Sequence, residues 1–223
     1  MTQDMNLIVF DWDGTLMDSE ARIVECMHAA IHDTELPHRD DEQVRNIIGL
    51  GLYEALNVLF PDGSEDDYQR LIERYRHHFL ISNETPSELF VGAKELIEHL
   101  HQAGHFLAVA TGKGRKGLDK VLDETGLDQY FHYTRCADET HSKPHPQMLH
   151  DIMDRLGIEA INTVMIGDTE YDMQMANSAG VNGVAVSYGV HDKARLLACD
   201  PVTCVDSLDE LKQWLLSRYN NAA

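Results

Sequence analysis

The chain has 223 residues, and its 38 acidic residues outnumber its 18 basic residues, for a formal net charge of −20. Such an acidic surface repels nucleic acids and anionic membranes, so we expect neither as a partner. The four cysteines lack C-x-x-C spacing, and no apolar run reaches the ~20 residues that span a bilayer. Without a secretory signal, the sequence indicates a cytoplasmic protein with reduced thiols.

The first element is a short apolar strand, Leu7-Ile8-Val9-Phe10, which runs directly into Asp11-Trp12-Asp13-Gly14-Thr15-Leu16. Four consecutive apolar residues predict a strand that is buried on both faces, as in a parallel sheet. Asp11 and Asp13 then lie at its carboxyl end, where open α/β sheets bind their ligands. Two carboxylates this close repel each other unless a cation or a shared proton relieves them. We therefore expect a bound Mg²⁺, with one carboxylate free to attack a phosphate.

From residue 16 to residue 88 the pattern is helical. Apolar spacing and capping signals predict four helices, over residues 21–32, 40–48, 52–60 and 64–80. We predict no strand between Leu16 and Pro86. A purely helical insertion after the first strand indicates a separate cap domain over residues 16–88, so that residues 1–15 and 89–223 form the core.

From Leu89 onward, helix and strand patterns alternate. The predicted helices cover residues 92–102, 115–124, 146–156, 171–179 and 207–219. The predicted strands cover residues 106–110, 133–136, 163–166, 183–186 and 204–205. This alternation predicts an α/β fold with a doubly wound, mostly parallel sheet.

Polar residues follow the predicted strands at their carboxyl ends. Besides Asp11 and Asp13, the sequence has Thr111-Gly112-Lys113-Gly114, Lys143-Pro144-His145-Pro146 and Gly167-Asp168-Thr169-Glu170-Tyr171-Asp172. A parallel sheet brings such ends together at one edge. We therefore predict a single site with carboxylates, a hydroxyl, a lysine and glycines that expose backbone N–H groups.

The four segments, in this order, resemble the motifs of the haloacid dehalogenase superfamily, in its phosphoglycolate-phosphatase-like branch. That family has D-x-D-G-T, an apolar strand ending in Ser or Thr, a Lys, and G-D-x-x-x-D. This chain has D-W-D-G-T-L, V-A-T, K-P-H-P and G-D-T-E-Y-D. The resemblance covers essentially the whole chain, including a helical cap between the first two motifs.

The resemblance implies a role for each matching residue. Asp11 would be the nucleophile that forms an aspartyl-phosphate, and Asp13 the general acid and then the general base. Mg²⁺ would be held by Asp11, the backbone carbonyl of Asp13, and Asp168, with Asp172 a ligand through water or a partner of the ligands. The phosphate would be bound by Gly14, Thr111, Gly112 and Lys143.

These roles predict a Mg²⁺-dependent phosphatase of a small phosphorylated metabolite, similar to phosphoglycolate or a sugar phosphate, in a monomer or a homodimer. A phosphomutase of the same family is an alternative, because a retained sugar phosphate could take the phosphoryl group back. A non-catalytic nucleotide-binding module is a second alternative. Dehalogenation is disfavoured because the release of a halide needs no proton. The second aspartate would then have no role as a general acid.

Two further patterns have more than one interpretation. Gly112, Gly114 and Gly117 form G-x-G-x-x-G after a strand, as in dinucleotide-binding loops. Lys113 and Arg115 would crowd such a turn, however, and a dinucleotide would leave the acidic residues unexplained. The densest basic patch consists of Lys113, Arg115, Lys116 and Lys120. It could attract an anionic substrate, but we interpret it as a solvated helix face.

In the cap, Arg45 precedes a break at Gly49-Leu50-Gly51 that would place a loop over the site. The corresponding hypothesis is that Arg45 binds a carboxylate or a second phosphate of the substrate.

Overall fold

The computed structural model describes residues 7–219. Its strands are β1 (Leu7–Phe10), β2 (Met17–Asp18), β3 (Glu88–Leu89), β4 (Phe106–Thr111), β5 (Tyr133–Cys136), β6 (Thr163–Gly167), β7 (Asn182–Val186) and β8 (Thr203–Val205). Six of them form one parallel sheet in the order β5-β4-β1-β6-β7-β8, and β2 pairs with β3 in a second, antiparallel sheet. The fold is therefore α/β with a parallel main sheet, as predicted.

The helices alternate with the strands of the main sheet after a helical insertion. They are α1 (Glu20–Asp33), α2 (Asp41–Asn46), α3 (Leu52–Leu59), α4 (Glu65–His77), α5 (Ala93–Gln102), α6 (Arg115–Thr125), α7 (Gln147–Leu156), α8 (Glu170–Ala179), α9 (Lys193–Leu197) and α10 (Leu208–Tyr219). A π-helical turn, His78–Ser82, continues α4. Between residues 7 and 219 no helix combines the length and apolar character that crossing a membrane requires.

Strand β1 occupies the centre of the main sheet because it is apolar on both faces. All four of its residues are fully buried, and Leu7 pairs in register with both Phe106 of β4 and Thr163 of β6. The strand order changes direction beside β1, since β4 and β5 lie on one side and β6 to β8 on the other. Ligands of open α/β sheets bind at such a switch point, beyond the carboxyl ends of the strands.

Each face of the main sheet has its own hydrophobic core. Ile8 and Phe10 pack in a cluster with residues of α5, α6 and α10, whereas Leu7 and Val9 pack in another with residues of α7 and α8. Alternate residues of one strand thus contact helices on opposite faces, which is why no polar residue is tolerated in β1. Helices on both faces are the doubly wound arrangement that the alternating pattern predicted.

Helices α1 to α4 and the π-helical turn pack around a third hydrophobic cluster, which contains no strand residue. Met27, Leu56 and Leu71 are almost fully buried in it. Helix α4 begins with a capping box in which Ser64 and Asp67 exchange hydrogen bonds, and α2 has the equivalent pair in Asp40 and Gln43. We call this helical unit, Glu20–Ser82, the cap segment.

The structure corrects two local predictions. Met17–Asp18 is a strand that pairs with Glu88–Leu89, so the prediction of no strand between Leu16 and Pro86 was wrong. These two-residue strands flank the cap segment and are too short for alternation to reveal them. Helix α2 ends at Asn46, before Ile47 and Ile48, and α4 ends at His77, before the predicted end at Leu80.

Candidate active site

Three buried carboxylates meet at the carboxyl end of the main sheet. Asp11 follows β1, and its backbone N–H donates to the Ile166 carbonyl at 2.8 Å, which extends the ladder with β6 by one residue. Carboxylate oxygens of Asp11, Asp168 and Asp172 all lie within 4.8 Å of one another. None of the three residues is more than 1% exposed. The sheet therefore assembles an acidic cluster from residues that are about 160 positions apart in sequence.

Gly14 allows the first and fourth motifs to approach each other closely. Its φ is +76°, and a Cβ added to it would lie 2.1 Å from Oδ2 of Asp168. Any side chain at this position would displace the Asp168 carboxylate, and the positive φ would strain the backbone as well. The Gly in D-x-D-G-T is thus required by packing here, and its predicted role in binding phosphate stays a prediction.

Asp168 and Asp172 each accept two hydrogen bonds that orient their carboxylates. Asp168 accepts from the Thr15 hydroxyl on Oδ1 and from the Val190 N–H on Oδ2, both at 2.8 Å. Asp172 accepts on Oδ2 from the N–H of Thr169 at 3.0 Å and from its hydroxyl at 2.6 Å. These contacts hold the side chains in single orientations before any ligand binds.

Lys143 is the cation of the cluster. Its Nζ lies 2.8 Å from Oδ1 of Asp11 and 2.6 Å from Oδ1 of Asp172, and its side chain is fully buried. Burial alone would lower the pKa of this ammonium group, but the carboxylates of Asp11 and Asp172 raise it above its usual value. Lys143 therefore stays charged at neutral pH and offsets part of the acidic charge.

One ammonium does not neutralise three carboxylates. Burial raises the pKa of Asp11 well above its usual value, and the charges of Asp172 and Asp168 raise it further, against the opposing effect of Lys143. Burial and the Asp172 charge raise the pKa of Asp168 to about 7. The cluster therefore binds protons more tightly than isolated carboxylates do, and a divalent cation could replace those protons.

The donor set of this cluster suits Mg²⁺. Every candidate ligand atom is an oxygen, which is the donor that this hard cation prefers. Oδ2 of Asp11 is buried and accepts no hydrogen bond from any residue in 7–219. A buried carboxylate oxygen without a partner is costly, and a bound cation would satisfy it. The residues present therefore fit a magnesium ion held by Asp11, Asp168 and, directly or through water, Asp172.

Asp13 lies apart from the three clustered acids, in contact with a different cation. Its Oδ1 accepts a hydrogen bond from the Ser19 hydroxyl and lies 2.9 Å from Nζ of Lys113. The Lys113 side chain is only 7% exposed, and its ammonium group also stands 4.3 Å from the centre of the Phe79 ring in the cap segment. The expectation that Lys113 belongs to a solvated helix face was wrong.

Lys113 is a residue of the candidate site that the sequence reasoning did not assign to it. The available signal was its place two residues after Thr111, at a strand end already assigned to the site. Arg115 is likewise engaged, since its guanidinium group contacts Glu139 at 2.9 Å and the Thr134 hydroxyl at 2.9 Å. The basic patch is thus mostly committed to internal ion pairs and hydrogen bonds.

Thr111 and Gly112 lie beside the acids, under the cap segment. Thr111 is fully buried, and its hydroxyl accepts a hydrogen bond from the Lys113 N–H at 3.1 Å. A Cβ on Gly112 would lie 2.5 Å from the carbonyl oxygen of Leu50 and 2.6 Å from that of Gly49. The turn at residues 49–51 therefore lies directly over this strand end, as the glycine break suggested. The predicted phosphate contacts of Thr111 and Gly112 stay predictions.

The G-x-G-x-x-G segment has a structural use that needs no dinucleotide. Asp138, the acidic residue after the next strand, accepts a hydrogen bond from the Arg115 N–H at 2.9 Å. It therefore caps the N-terminus of α6. In a dinucleotide site the same carboxylate would instead bind a ribose.

Arg45 is held away from the acidic cluster. Its Nε donates to Oε1 of Glu20 at 2.5 Å, its side chain is 46% exposed, and it is not among the described residues that line the cavity below the cap segment. In this structure it connects α2 to the start of α1. The hypothesis that it binds substrate stays a prediction without support from this geometry.

A cavity of about 760 Å³ lies between the cap segment and the main sheet. Asp11, Asp13, Gly112 and Lys113 line it on the side of the sheet, and residues of α1, α3, α4 and the turn before α3 line it on the opposite side. The acids that carry the predicted chemistry therefore open into a space large enough for a small organic molecule.

The comparisons with known proteins agree with this site. The sequence model of the haloacid dehalogenase-like hydrolase family matches residues 8–186. The "Probable phosphatase IndB" of Dickeya dadantii is 35% identical over 209 residues, which cover 92% of this chain and 91% of that protein. The phosphoglycolate phosphatase of Vibrio parahaemolyticus is 32% identical over 217 residues, which cover 94% of this chain and 95% of that protein. The crystal structure of a predicted phosphatase from Clostridium acetobutylicum superimposes with a TM-score of 0.86 at 25% identity, over 95% of this chain and 98% of that one.

The chain is an α/β protein with a cluster of buried carboxylates at the carboxyl edge of its main sheet. It belongs to the haloacid dehalogenase-like hydrolase family. The matched relatives are phosphatases by name and align over nearly their whole length. The predictions of the family, of the fold class and of an enzyme of the phosphatase type are confirmed. The division into core and cap domains and the individual residue roles remain predictions.

We expect Lys113→Met to lower kcat/KM for a phosphate ester by about 10²-fold, because Asp13 loses the ammonium group that holds its carboxylate. The measurement is steady-state hydrolysis of p-nitrophenyl phosphate. Lys94→Met, which removes an exposed lysine on α5, is the matched control and should change the rate by less than about twofold. Equal rates for the two variants would show that Lys113 has no part in positioning Asp13.

Proposed function

We propose that this protein is a Mg²⁺-dependent phosphatase that hydrolyses a small phosphorylated metabolite through an aspartyl-phosphate on Asp11. The observation that carries the proposal is the buried cluster of Asp11, Asp168 and Asp172, in which Lys143 is the only cation among the described residues at ion-pair distance. An unpaired carboxylate oxygen on Asp11 supports both a metal ligand and a nucleophile at this residue.

In the first step, a carboxylate oxygen of Asp11 attacks the phosphorus atom, and the bond from phosphorus to the ester oxygen breaks. Asp13 gives a proton to the departing alkoxide, which is a strong base without it. Asp13 suits this role because it lies outside the acidic cluster and lines the cavity. Contacts with Ser19 and Lys113 orient its carboxylate.

In the second step, Asp13 removes a proton from a water molecule as that water attacks the phosphorus atom. The bond between phosphorus and the Asp11 oxygen then breaks, which releases inorganic phosphate and restores the carboxylate. Lys143 keeps its contact with Asp11 and stabilises negative charge on the transferring group, together with the N–H groups that follow Thr111. Magnesium, when bound, supplies further positive charge against the phosphate oxygens.

The proposal predicts that Mg²⁺ both activates and stabilises the protein. Phosphate release from p-nitrophenyl phosphate should require added Mg²⁺ and stop when EDTA removes it. Because the folded-state pKa of Asp168 is raised to about 7, the metal-free protein should lose stability as pH rises from about 4 to about 7. Mg²⁺ competes with this proton, so its stabilising effect should grow over the same range.

The measurement is the difference in Tm with and without Mg²⁺, at about pH 5 and at about pH 8. We expect the difference to be larger at the higher pH, and to be much smaller in Asp168→Asn at both. Hydrolysis at the full rate in EDTA would refute the metal dependence. A Tm difference that is the same at both pH values would show that the cation does not bind at Asp168.

A further inference from the structure

The surface of the cavity is divided between a charged side and an apolar side. The charged side is the edge of the main sheet with Asp11, Asp13 and Lys113. The apolar part of the opposite wall is built by side chains of the cap segment that also belong to its hydrophobic cluster: Ile23, Met27, Ile47, Ile48, Ile72 and Phe79. The cavity thus reaches from the reacting groups into the hydrophobic core of the cap segment.

The position of this wall defines what it would contact. A phosphate that accepts attack from Asp11 occupies the charged side, so the leaving group of the ester points away from the sheet and toward the cap segment. Sugar hydroxyls placed against those six apolar side chains would lose hydrogen bonds to water that the apolar side chains cannot replace. A hydrocarbon body would instead release water from the apolar wall.

The cations that line the cavity are poorly placed for a second anionic group. Lys113 is paired with Asp13 at 2.9 Å, and Arg115 is paired with Glu139 at 2.9 Å. The remaining basic lysine and arginine residues of the lining, Arg76 and Lys116, are exposed. The acidic side chains of Glu54, Glu73 and Asp138 also line the cavity and are exposed as well. A carboxylate on the leaving group would therefore meet as much negative as positive charge.

The cavity is also larger than a two-carbon phosphate ester requires. Its volume of about 760 Å³ lies within the range of sites that enclose drug-sized ligands. Such a ligand would fill the space between the acids and Ile72, whereas a two-carbon acid would leave the apolar wall in contact with water.

We propose that the substrate of this protein is a phosphate monoester whose leaving group is an apolar body, an alkyl or aryl alcohol of roughly six or more carbon atoms. The proposal rests on the phosphatase activity proposed above and specifies the alcohol that the enzyme releases. It distinguishes this chain from its relatives that are named for phosphoglycolate.

The test is the kcat/KM for ethyl, n-butyl and n-hexyl phosphate, whose leaving groups are chemically alike and differ in chain length. We expect kcat/KM to rise about two- to fourfold per added methylene group, as it should when each group is buried against an apolar wall. A second comparison uses phosphoglycolate and isobutyl phosphate, which have the same number of heavy atoms. We expect the uncharged ester to be the better substrate.

Two variants that each introduce a hydroxyl into the hydrophobic cluster locate the effect. Ile72→Thr places a hydroxyl on the cavity wall, and we expect it to reduce the ratio of kcat/KM for hexyl to ethyl phosphate several-fold. Val44→Thr makes a similar change in the same hydrophobic cluster, at a buried residue outside the cavity lining. It should leave that ratio at the wild-type value.

The outcomes separate this proposal from the one on which it rests. No hydrolysis of any ester, p-nitrophenyl phosphate included, would overturn the phosphatase proposal itself. Hydrolysis of all the alkyl esters with equal kcat/KM, or a preference for phosphoglycolate over isobutyl phosphate, would overturn only the apolar leaving group. Equal loss of the hexyl-to-ethyl ratio in both variants would overturn the assignment to this cavity.

Discussion

Asp11→Asn should lower phosphatase activity by at least about 10⁴-fold, because the amide cannot attack phosphorus and no other carboxylate takes its place. Hydrogen bonds from Thr15, Val190 and Thr169 hold the carboxylates of Asp168 and Asp172 in place, so neither replaces Asp11 as the nucleophile. The measurement is kcat/KM for p-nitrophenyl phosphate with Mg²⁺ present.

The stability of Asp11→Asn provides its control. The Asn oxygen can still accept the hydrogen bond that the Trp12 N–H donates to Oδ1 of Asp11 at 2.7 Å. The substitution also removes one of three mutually repelling charges, since burial and neighbouring carboxylates raise the pKa of Asp11. We therefore expect no decrease in the Tm of the metal-free protein. Retention of more than a few per cent of the activity would contradict the role of Asp11.

Lys143→Met should destabilise the metal-free protein by about 3–5 kcal/mol, the usual cost of removing one partner from a buried ion pair. Methionine fills much of the same volume, so the loss comes chiefly from leaving Asp11 and Asp172 without their shared cation. Activity should fall by about 10²–10³-fold as well, because a charge that stabilises the transferring group is missing.

Denaturant unfolding with and without Mg²⁺ measures this effect. Lys94→Met, at an exposed position on α5, should unfold like the wild type. In Lys143→Met we expect Asp172→Asn to restore part of the lost stability, because the second substitution removes one uncompensated carboxylate. A Lys143→Met protein as stable as the wild type, without metal, would show that the ion pairs do not hold the cluster together.

The parallel sheet and its acidic edge could be predicted from sequence because both depend on local signals. A strand such as Leu7–Phe10 is apolar throughout only when both of its faces are covered, and a parallel sheet then aligns the strand ends. Asp11, Asp168 and Lys143 follow from that rule without knowledge of any contact. Apolar spacing likewise gave the ends of five helices after Leu89 to within about one residue, whereas the short helix α9 (Lys193–Leu197) was not predicted.

Apart from the turn at residues 49–51, the contacts between cap segment and sheet could not be predicted in this way, because they depend on tertiary placement. Lys113 has the sequence context of a surface helix, and only the approach of Phe79 and Asp13 buries it. Arg45 stands next to a loop that does reach the site, yet its own helix face turns it toward Glu20. A periodic pattern predicts that a helix has a buried face, but not which neighbour covers it.

The same limit applies to the substrate. The motifs after each strand specify how a phosphate would be handled, and they are confined to the sheet. The apolar wall is formed by residues of α1, of α4 and of the turns after α2 and α4, whose sequence pattern is that of ordinary core residues. Only their arrangement around the cavity identifies them as residues that could contact the leaving group.

The most direct test of the account is to trap the phosphorylated residue. In Asp13→Asn, p-nitrophenyl phosphate should still phosphorylate the enzyme, because its leaving group needs no acid, whereas hydrolysis of the aspartyl-phosphate lacks its base. Borohydride reduces an acyl phosphate to the alcohol, so mass spectrometry of the treated protein should find homoserine at position 11, and only after incubation with substrate. A burst of nitrophenol with Asp11 unmodified, or modification at another residue, would contradict the nucleophilic role on which the account depends.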